Sequence, residues 1–466
     1  MTANGQARGL PAFNEAYRPD GAPREHYEGL LHALEGADLL ALRDAAQQRV
    51  DEEGASFGDD PFRIDPVPRL LTAEAWDELA AGLQQRTRAL NAFVADAYGD
   101  RAIVAAGIVS EALIEDAEGY EPELRGRLPA AAAPIAVAGL DIVCDEEGTL
   151  RVLEDNCRTP SGYCYANATR RAVTASLPYD GPGPCALGDP LHELLRGVAR
   201  DAAPAGVSDP YVVVLSEGPA TGTAWEHEQI AQLAGAQLVT LDDLRLRDGW
   251  VHARLPDGGT QRVDVVYQRS DEDSVRDEHG EPTPIAGMLL EPWLAGRLGL
   301  VNAFGTGIAD DKLAHAYVEQ MVRFYLDEEP RLLSVPTVDL GRPEHVDQVL
   351  DDLRSYVVKP RGGSGGRGVV VCAHADEETL ARVREELRRA PECHVAQRLV
   401  ALSEHPTITD AGRLEPRHVD LRPFIFSGAG WTRALPGGLT RVALERGTLV
   451  VNSSQHGGGK DTWVLA

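Results

Sequence analysis

The sequence predicts a mixed α/β protein built from roughly two to four domains. Three observations carry that expectation. Apolar residues recur at spacings of three and four over residues 24–117, strand and helix patterns alternate from 211 onward, and short strand-like runs crowd the stretch after 310. A chain of 466 residues is also too long for a single hydrophobic core.

The elements follow in order. HYEGLLHALEGADLLALRDAAQQRV and TAEAWDELAAGLQQRTRALNAFVADAY are helical by period, and Thr72 followed by Glu74 and Asp77 marks a helix start. PFRIDPVPRL (61–70) is punctuated by proline and is expected as an extended connector. IAVAGLDIVCD and TLRVLEDN are strand-like runs around the acidic turn EEG, which predicts a β-hairpin. GPGPCALGDP and DAAPAGVSDP flank a short helix as linker. YVVVLSEG, AWEHEQIAQLAGA and QLVTL then alternate as a parallel α/β unit, with VDVVYQRS (263–270) a further strand. DDKLAHAYVEQMVRFYL is expected as one helix leading into a more antiparallel C-terminal region.

Composition narrows the function classes. A formal charge of −28 argues against a nucleic-acid binder or a protein drawn to anionic membranes. The N-terminus shows no basic start followed by an apolar core, and LPAAAAPIAVAGL (128–140) is too short to span a bilayer. The six cysteines form no CxxC pair and no zinc spacing, as expected of reduced thiols in a cytoplasmic protein.

The most informative stretch is YVVKPRGGSGGRGVVV (356–371). Its glycines permit positive φ and close backbone approach, so N–H groups can surround a bulky anion such as phosphate. Gly363, Gly365 and Gly368 spell G-x-G-x-x-G, but a dinucleotide fold needs a helix to start there, and VVVCA follows instead. No Gly-Lys-Ser/Thr closes a Walker-type loop. A kinase places its lysine after the loop, with D-F-G further on, and this chain has neither.

A strand lysine ahead of a glycine flap is the arrangement of the ATP-grasp ligases. The chain resembles the circularly permuted ATP-grasp family, type 2, and more distantly glutathionylspermidine synthase. The resemblance runs from about residue 15 to the C-terminus. It is carried, in the family's order, by HYEGL, PRLLTAEAWDELAAGLQQRTRALNAFVADAYGD, GLDIVCDEEGTLRVLEDNCRTPSG, EGPATGTAWEHEQIAQLAG, VNAFGTGIADDK, YVVKPRGGSGGRGV, HVDLRPF, PGGLTRVAL and VNSSQHGGGKDTWVL. It implies a permuted ATP-grasp fold divided as a mainly helical region (1–127), the metal-ligand part of the grasp domain (128–205), a pre-grasp α/β domain (206–305) and the nucleotide-binding remainder (306–466).

Such a fold implies ATP and Mg²⁺, and magnesium takes hard oxygen ligands. Glu154 and Asn156 alternate onto one face of a strand, with Asp141 on the strand before it. If Cys144 faces Thr149, Asp141 faces Val152 and Glu154 is its diagonal neighbour, about 7–8 Å away at the backbone. The resemblance puts the family's metal ligands on Asp141, Glu154 and Asn156. It also implies Lys359 and Lys312 as nucleotide lysines, with Ser364 and the backbone of Gly362, Gly363, Gly365, Gly366 and Gly368 around the γ-phosphate. QRLV (397–400) would be the hinge at the adenine, through Gln397 and Leu399.

Phosphoryl transfer to a carboxylate needs positioning and charge neutralisation, for which arginine's planar fork is suited. Arg158, Arg422 and Arg441 are the expected catalytic arginines, with Asp420 a further acidic group or a partner of Arg422. Ser161 and Gly162 would form a substrate-facing turn, joined by Arg269, where Gln268 replaces a family arginine. The closing NSSQHGGGKDTW would be a loop over the acceptor pocket, with Ser454 and Lys460 as contacts. His227 is expected to be structural. The implied activity is ligation of a small-molecule or peptide carboxylate to an amine through an acyl phosphate, in the cytoplasm, without nucleic-acid or membrane partners. The alternatives are glutathionylspermidine-synthase-like amidation of a polyamine, and an ATP-binding sensor or scaffold without turnover.

Overall fold

The computed structural model describes residues 12–129, 133–270, 274–277, 279–363, 366–445 and 457–465. Its centre is a nine-stranded sheet whose main path runs Trp431–Ala434, Phe424–Gly428, Val137–Cys144, Leu414–Arg422, Leu439–Val442, Gly458–Val464 and Ile64–Leu71. Leu150–Asn156 pairs with Val137–Cys144, and Glu404–Ile408 pairs with Leu414–Arg422. All neighbours are antiparallel except the last two of the path.

The pleat divides the sheet's side chains between two cores. Ala138, Leu140, Ile142 and Ile425 pack with Leu83, Leu90 and Phe93 of the helix Ala73–Tyr98. Val137, Phe424 and Phe426 pack with Tyr163 and Tyr165 of the helix Tyr163–Ser176 on the opposite face. The long helix begins where expected: Thr72 Oγ1 accepts from Ala75 N at 3.2 Å, capping an otherwise orphan donor.

The α/β unit has Val212–Leu215, Gln237–Val239, Val265–Gln268 and Gly299–Val301 in one parallel sheet, with the helix Ala224–Ala234 after its first strand. A third, antiparallel sheet joins Thr337–Asp339, His394–Arg398, Tyr356–Pro360 and Val370–Val371. The glycine loop connects the last two of these strands, so strand–loop–strand is the local geometry. Among the described residues no helix is long and apolar enough to cross a membrane.

Three expectations need correction. The connector at 61–70 is largely the strand Ile64–Leu71, buried at every position. It ends the path of the sheet, and an edge strand tolerates Pro66 and Pro68 because their missing N–H groups break no ladder on that side. The helix expected from 310 is instead three: Gly307–Asp310, Lys312–His315 and Val318–Leu326. Asp311 resets it, its Oδ1 accepting from Leu313 N at 2.8 Å while Arg361 Nε grips the same carboxylate at 2.8 and 2.9 Å. The closing loop is, from Gly458 to Val464, a buried strand.

Candidate functional site

The hairpin sets the acidic face of the site. Cys144 pairs with Leu150 rather than Thr149, and a bulge at Leu153 shifts the ladder so that Asp141 stands directly opposite Glu154 and Gly139 opposite Asn156. The expected diagonal register is therefore corrected to a direct cross-strand pair. The pairing of Cys144 with Leu150 has its cause in the turn: Asp145 Oδ1 accepts from Glu147 N and Thr149 N, and Asp145 N donates to Thr149 O, which fixes Thr149 inside the turn. Glu154 and Asn156 share one face, while Asp155 between them turns to the opposite side.

Asp141 is engaged by two arginines. Arg422 donates Nε to Oδ1 at 2.6 Å and Nη2 to Oδ2 at 2.9 Å, and Arg441 Nη2 donates to Oδ2 at 2.7 Å. Arg441 also forks onto Asp420 at 2.8 and 2.5 Å. Burial alone would raise the Asp141 carboxyl, but the two guanidinium groups outweigh it and hold it at about 2. Asp420, buried beside the Asp141 charge, is raised instead. Three of Asp141's roughly four lone-pair positions are used, leaving one on Oδ1.

Lysines face this acidic set from distant parts of the chain. Lys312 Nζ lies 3.4 Å from Glu154 Oε1 and donates to Gly363 O at 2.8 Å. Lys359 Nζ donates to Gln397 Oε1 at 2.6 Å, and the Gln397 amide nitrogen reaches Leu153 O and Thr337 Oγ1. Burial pushes the Lys359 ammonium below its ordinary value, with Glu154 opposing and Lys312 adding to the fall. Leu399 donates its N–H to Ser355 O at 2.9 Å, so only its other backbone group is free for a base. Gly363, Gly366 and Gly368 all have positive φ, and a Cβ at Gly368 would sit 2.7 Å from Pro360 Cγ, so glycine is required there.

One cleft of about 1870 Å³ takes in Asp141, Glu154, Asn156, Lys312 and Lys359 together with Gly362, Gly363, Gly366, Gln397 and Leu399. It continues to Arg158, Ser161, Gly162, Arg269, Arg422 and Arg441. At this far end Arg269 donates to Pro160 O at 2.9 Å and to Ser161 Oγ at 2.5 Å. Fully buried Glu226 accepts from Gly162 N at 2.8 Å and Cys164 N at 3.1 Å, holding the turn that opens the helix Tyr163–Ser176. Burial raises the Glu226 carboxyl, with Arg269 opposing. Burial drives His227 down to about 3, so its imidazole is neutral between Ser216 Oγ and Thr223 Oγ1.

Lys460 is not a pocket residue. It is fully buried on the strand Gly458–Val464, paired with Asp65 and donating to Val67 O and Pro406 O at 3.1 Å. Reading GGGK as a loop hid this, since its partner is on the strand Ile64–Leu71. Ser364, Gly365 and Ser454 lie outside the described residues.

The residues present suit a magnesium nucleotide. Glu154 keeps 31% of its side chain exposed, Asp141 has a lone pair to spare, and the Asn156 amide nitrogen is buried without a partner, so its amide is free to turn its oxygen inward. An all-oxygen set of this kind is hard-cation chemistry. Among the described residues no group of three or more His, Cys, Asp or Glu could hold a metal, so Asp141 and Glu154 are a two-carboxylate set to which Asn156 adds a neutral oxygen.

Several groups in the cleft escaped the sequence. Glu118 accepts from Gly363 N, and Arg361 ties the loop's base to Ala112 O at 3.1 Å and to Leu113 O. Asp310 accepts from Cys157 N, and Glu146 has a buried carboxylate oxygen without a partner. Arg361 sits inside the glycine motif, where its position beside the loop is evident in the sequence. Glu118 and Glu226 carry no local signal, because each acts on a residue brought near only by the fold.

Comparison with known proteins bears on this geometry. A family model described as circularly permuted ATP-grasp type 2 matches residues 68–443. An uncharacterized protein of Mycobacterium tuberculosis (strain H37Rv) is 38% identical over 98% of this chain and 84% of its own length. An uncharacterized protein of Synechocystis is 41% identical over 97% of both chains. A protein of Frankia alni, provisionally named a glutamate–cysteine ligase, is 42% identical over 97% of this chain, which spans about half (54%) of that protein. Among solved structures, the apo form of a glutathione synthetase-like effector from Globodera pallida is similar in fold, with a TM-score of 0.59 at 13% identity, covering 93% of this chain and 99% of that one.

Proposed function

The chain belongs to the circularly permuted ATP-grasp type 2 family, whose chemistry is ATP-dependent carboxylate–amine ligation, and on that premise we propose that it forms an amide or peptide-like bond through an acyl phosphate. The observation that carries this is the convergence at Lys312, whose Nζ touches both Glu154 of the acidic hairpin and Gly363 of the glycine loop.

Lys312 and Lys359 hold the phosphates of ATP as point charges, with the backbone of Gly362, Gly363, Gly366 and Gly368 around them. Glu154, Asn156 and the spare lone pair of Asp141 would hold Mg²⁺, which would supply neutralisation of charge on the phosphoryl oxygens. Arg422 and Arg441, fixed in place by Asp141 and Asp420, present guanidinium N–H groups to the carboxylate substrate and the transferring group without reorganising. Arg158 and Arg269 orient the substrate beside the turn Ser161–Gly162. The carboxylate oxygen takes the γ-phosphoryl group and ADP leaves. A free amine then attacks the acyl carbon, inorganic phosphate departs with the C–O electron pair, and the proton lost from the nitrogen passes to that phosphate.

The test is ADP release by the purified chain with ATP, Mg²⁺ and mixtures of amino acids, polyamines and short peptides, with product mass as the second readout. Amine-dependent ADP formation with a condensed product is expected. Tight ATP binding without turnover on any acceptor would replace the ligase with a sensor. In the same assay Lys359→Ala should raise the ATP concentration needed for half-maximal rate by about tenfold or more, as loss of a charge-assisted phosphate contact implies. A normal ATP requirement in that variant contradicts the role given to Lys359.

A further inference from the structure

The glycine loop holds an anion supplied by its own chain. Glu118 Oε2 accepts a hydrogen bond from Gly363 N at 2.8 Å, and the same oxygen would lie 2.1 Å from a Cβ at Gly362, so the carboxylate rests on the loop backbone itself. Lys312 meanwhile holds Gly363 O at 2.8 Å, which engages both backbone groups of that residue.

The placement is built. A Cβ on Gly119 would come within 2.5 Å of Gly307, so the backbone after Glu118 is pressed against the segment leading to Lys312. Arg361, at the base of the loop, donates to Ala112 O and Leu113 O in the helix Glu111–Glu115 just upstream of Glu118. Glu118 therefore reaches the loop from a segment already clamped to it. The Glu118 side chain is itself exposed, so burial does not oppose its leaving.

We propose that Glu118 is a phosphate surrogate: its carboxylate satisfies the Gly363 N–H and yields it when a phosphoryl oxygen of the nucleotide arrives. This rests on the assignment of the loop to ATP given above. A single N–H offers one strong hydrogen bond, and two anions brought to it at hydrogen-bond distance repel each other. Glu118 thus competes with ATP, keeps nucleotide affinity below what the loop and its lysines would otherwise give, and assists departure of the spent nucleotide by returning to the amide.

Calorimetric titration of the full chain with ATP and with adenosine, both in the presence of Mg²⁺, tests this. Glu118→Ala should tighten ATP about five- to tenfold, the equivalent of one charged hydrogen bond removed from the competitor, and leave adenosine unchanged. Glu118→Gln, which keeps an acceptor but not the charge, should fall between wild type and alanine. Unchanged or weaker ATP binding in Glu118→Ala overturns the proposal, as does an equal gain for adenosine, which would mark a general loosening. If Lys359→Ala abolishes ATP binding while Glu118→Ala does not tighten it, only the surrogate role fails. If the wild-type chain takes up no ATP at all, the assignment of the loop fails and the surrogate with it.

Discussion

Replacing Glu154 with Gln is expected to lower turnover by at least about a thousandfold, equivalent to roughly 4 kcal/mol of lost stabilisation of the reacting phosphoryl group. The substitution keeps the shape of the side chain and removes its charge. Glu154 stands opposite Asp141 on a strand pair, 3.4 Å from Lys312, and both nearby lysines keep other hydrogen bonds, Lys312 to Gly363 O and Lys359 to Gln397 Oε1. The melting temperature should therefore hold while the magnesium dependence of ADP release disappears. Asn156→Ala should act in the same direction, since its amide is the one neutral oxygen donor in the set. Unaltered rates in both variants would remove these residues from the metal site.

Asp155→Ala is expected to cost about 3–5 kcal/mol of stability, measured by urea unfolding, because it leaves a buried guanidinium unpaired. Asp155 accepts from Arg86 Nε and Nη2 at 2.6 and 2.7 Å and from His315 Nδ1 at 2.7 Å, all of it buried. Without Asp155, Glu319 at 3.8 Å is the one ion-pair partner left to Arg86 among the described residues. The pH dependence has a definite sign. Burial alone would raise the Asp155 carboxyl, but Arg86 and His315 hold it well below the ordinary carboxylate range. The folded chain then binds fewer protons than the unfolded one just below about pH 4, so the contribution of Asp155 is complete above that pH and declines as acid is added. The gap between Asp155→Ala and wild type should accordingly narrow below about pH 4. A gap below 1 kcal/mol at neutral pH, or one that widens in acid, would contradict the pairing.

These two residues also show what could be read before folding. Strand alternation alone put Glu154 and Asn156 on one face, and the strand–glycine–strand pattern put Lys359 beside a loop able to hold an anion. Asp155 could be assigned to the other face but not to a partner, because Arg86 is on the helix Ala73–Tyr98 and His315 on a helix far downstream. The register of the hairpin at Asp141 was off by a shift in the turn, where the chemistry inside DEEGT pairs Cys144 with Leu150, and by the bulge at Leu153, and strand propensity signals neither. Prolines disguised the strand Ile64–Leu71, and glycines disguised the strand Gly458–Val464. Each is recognisable only once the other is placed beside it, where Lys460 and Asp65 pair across the ladder.

That last pairing has a kinetic consequence. Asp65 and Lys460 are separated by 395 positions along the chain, so joining their strands closes a loop of nearly the whole polypeptide. The entropic cost of closing so large a loop must be met before this non-local pairing yields any gain, which sets the step late on the folding route, after local hairpins have formed. Until it happens, the strand Gly458–Val464, paired on one side with Leu439–Val442, is left as an open edge, able to pair with another molecule. Refolding yield should therefore fall with protein concentration, an outcome governed by encounter between chains and not by the stability of the finished sheet.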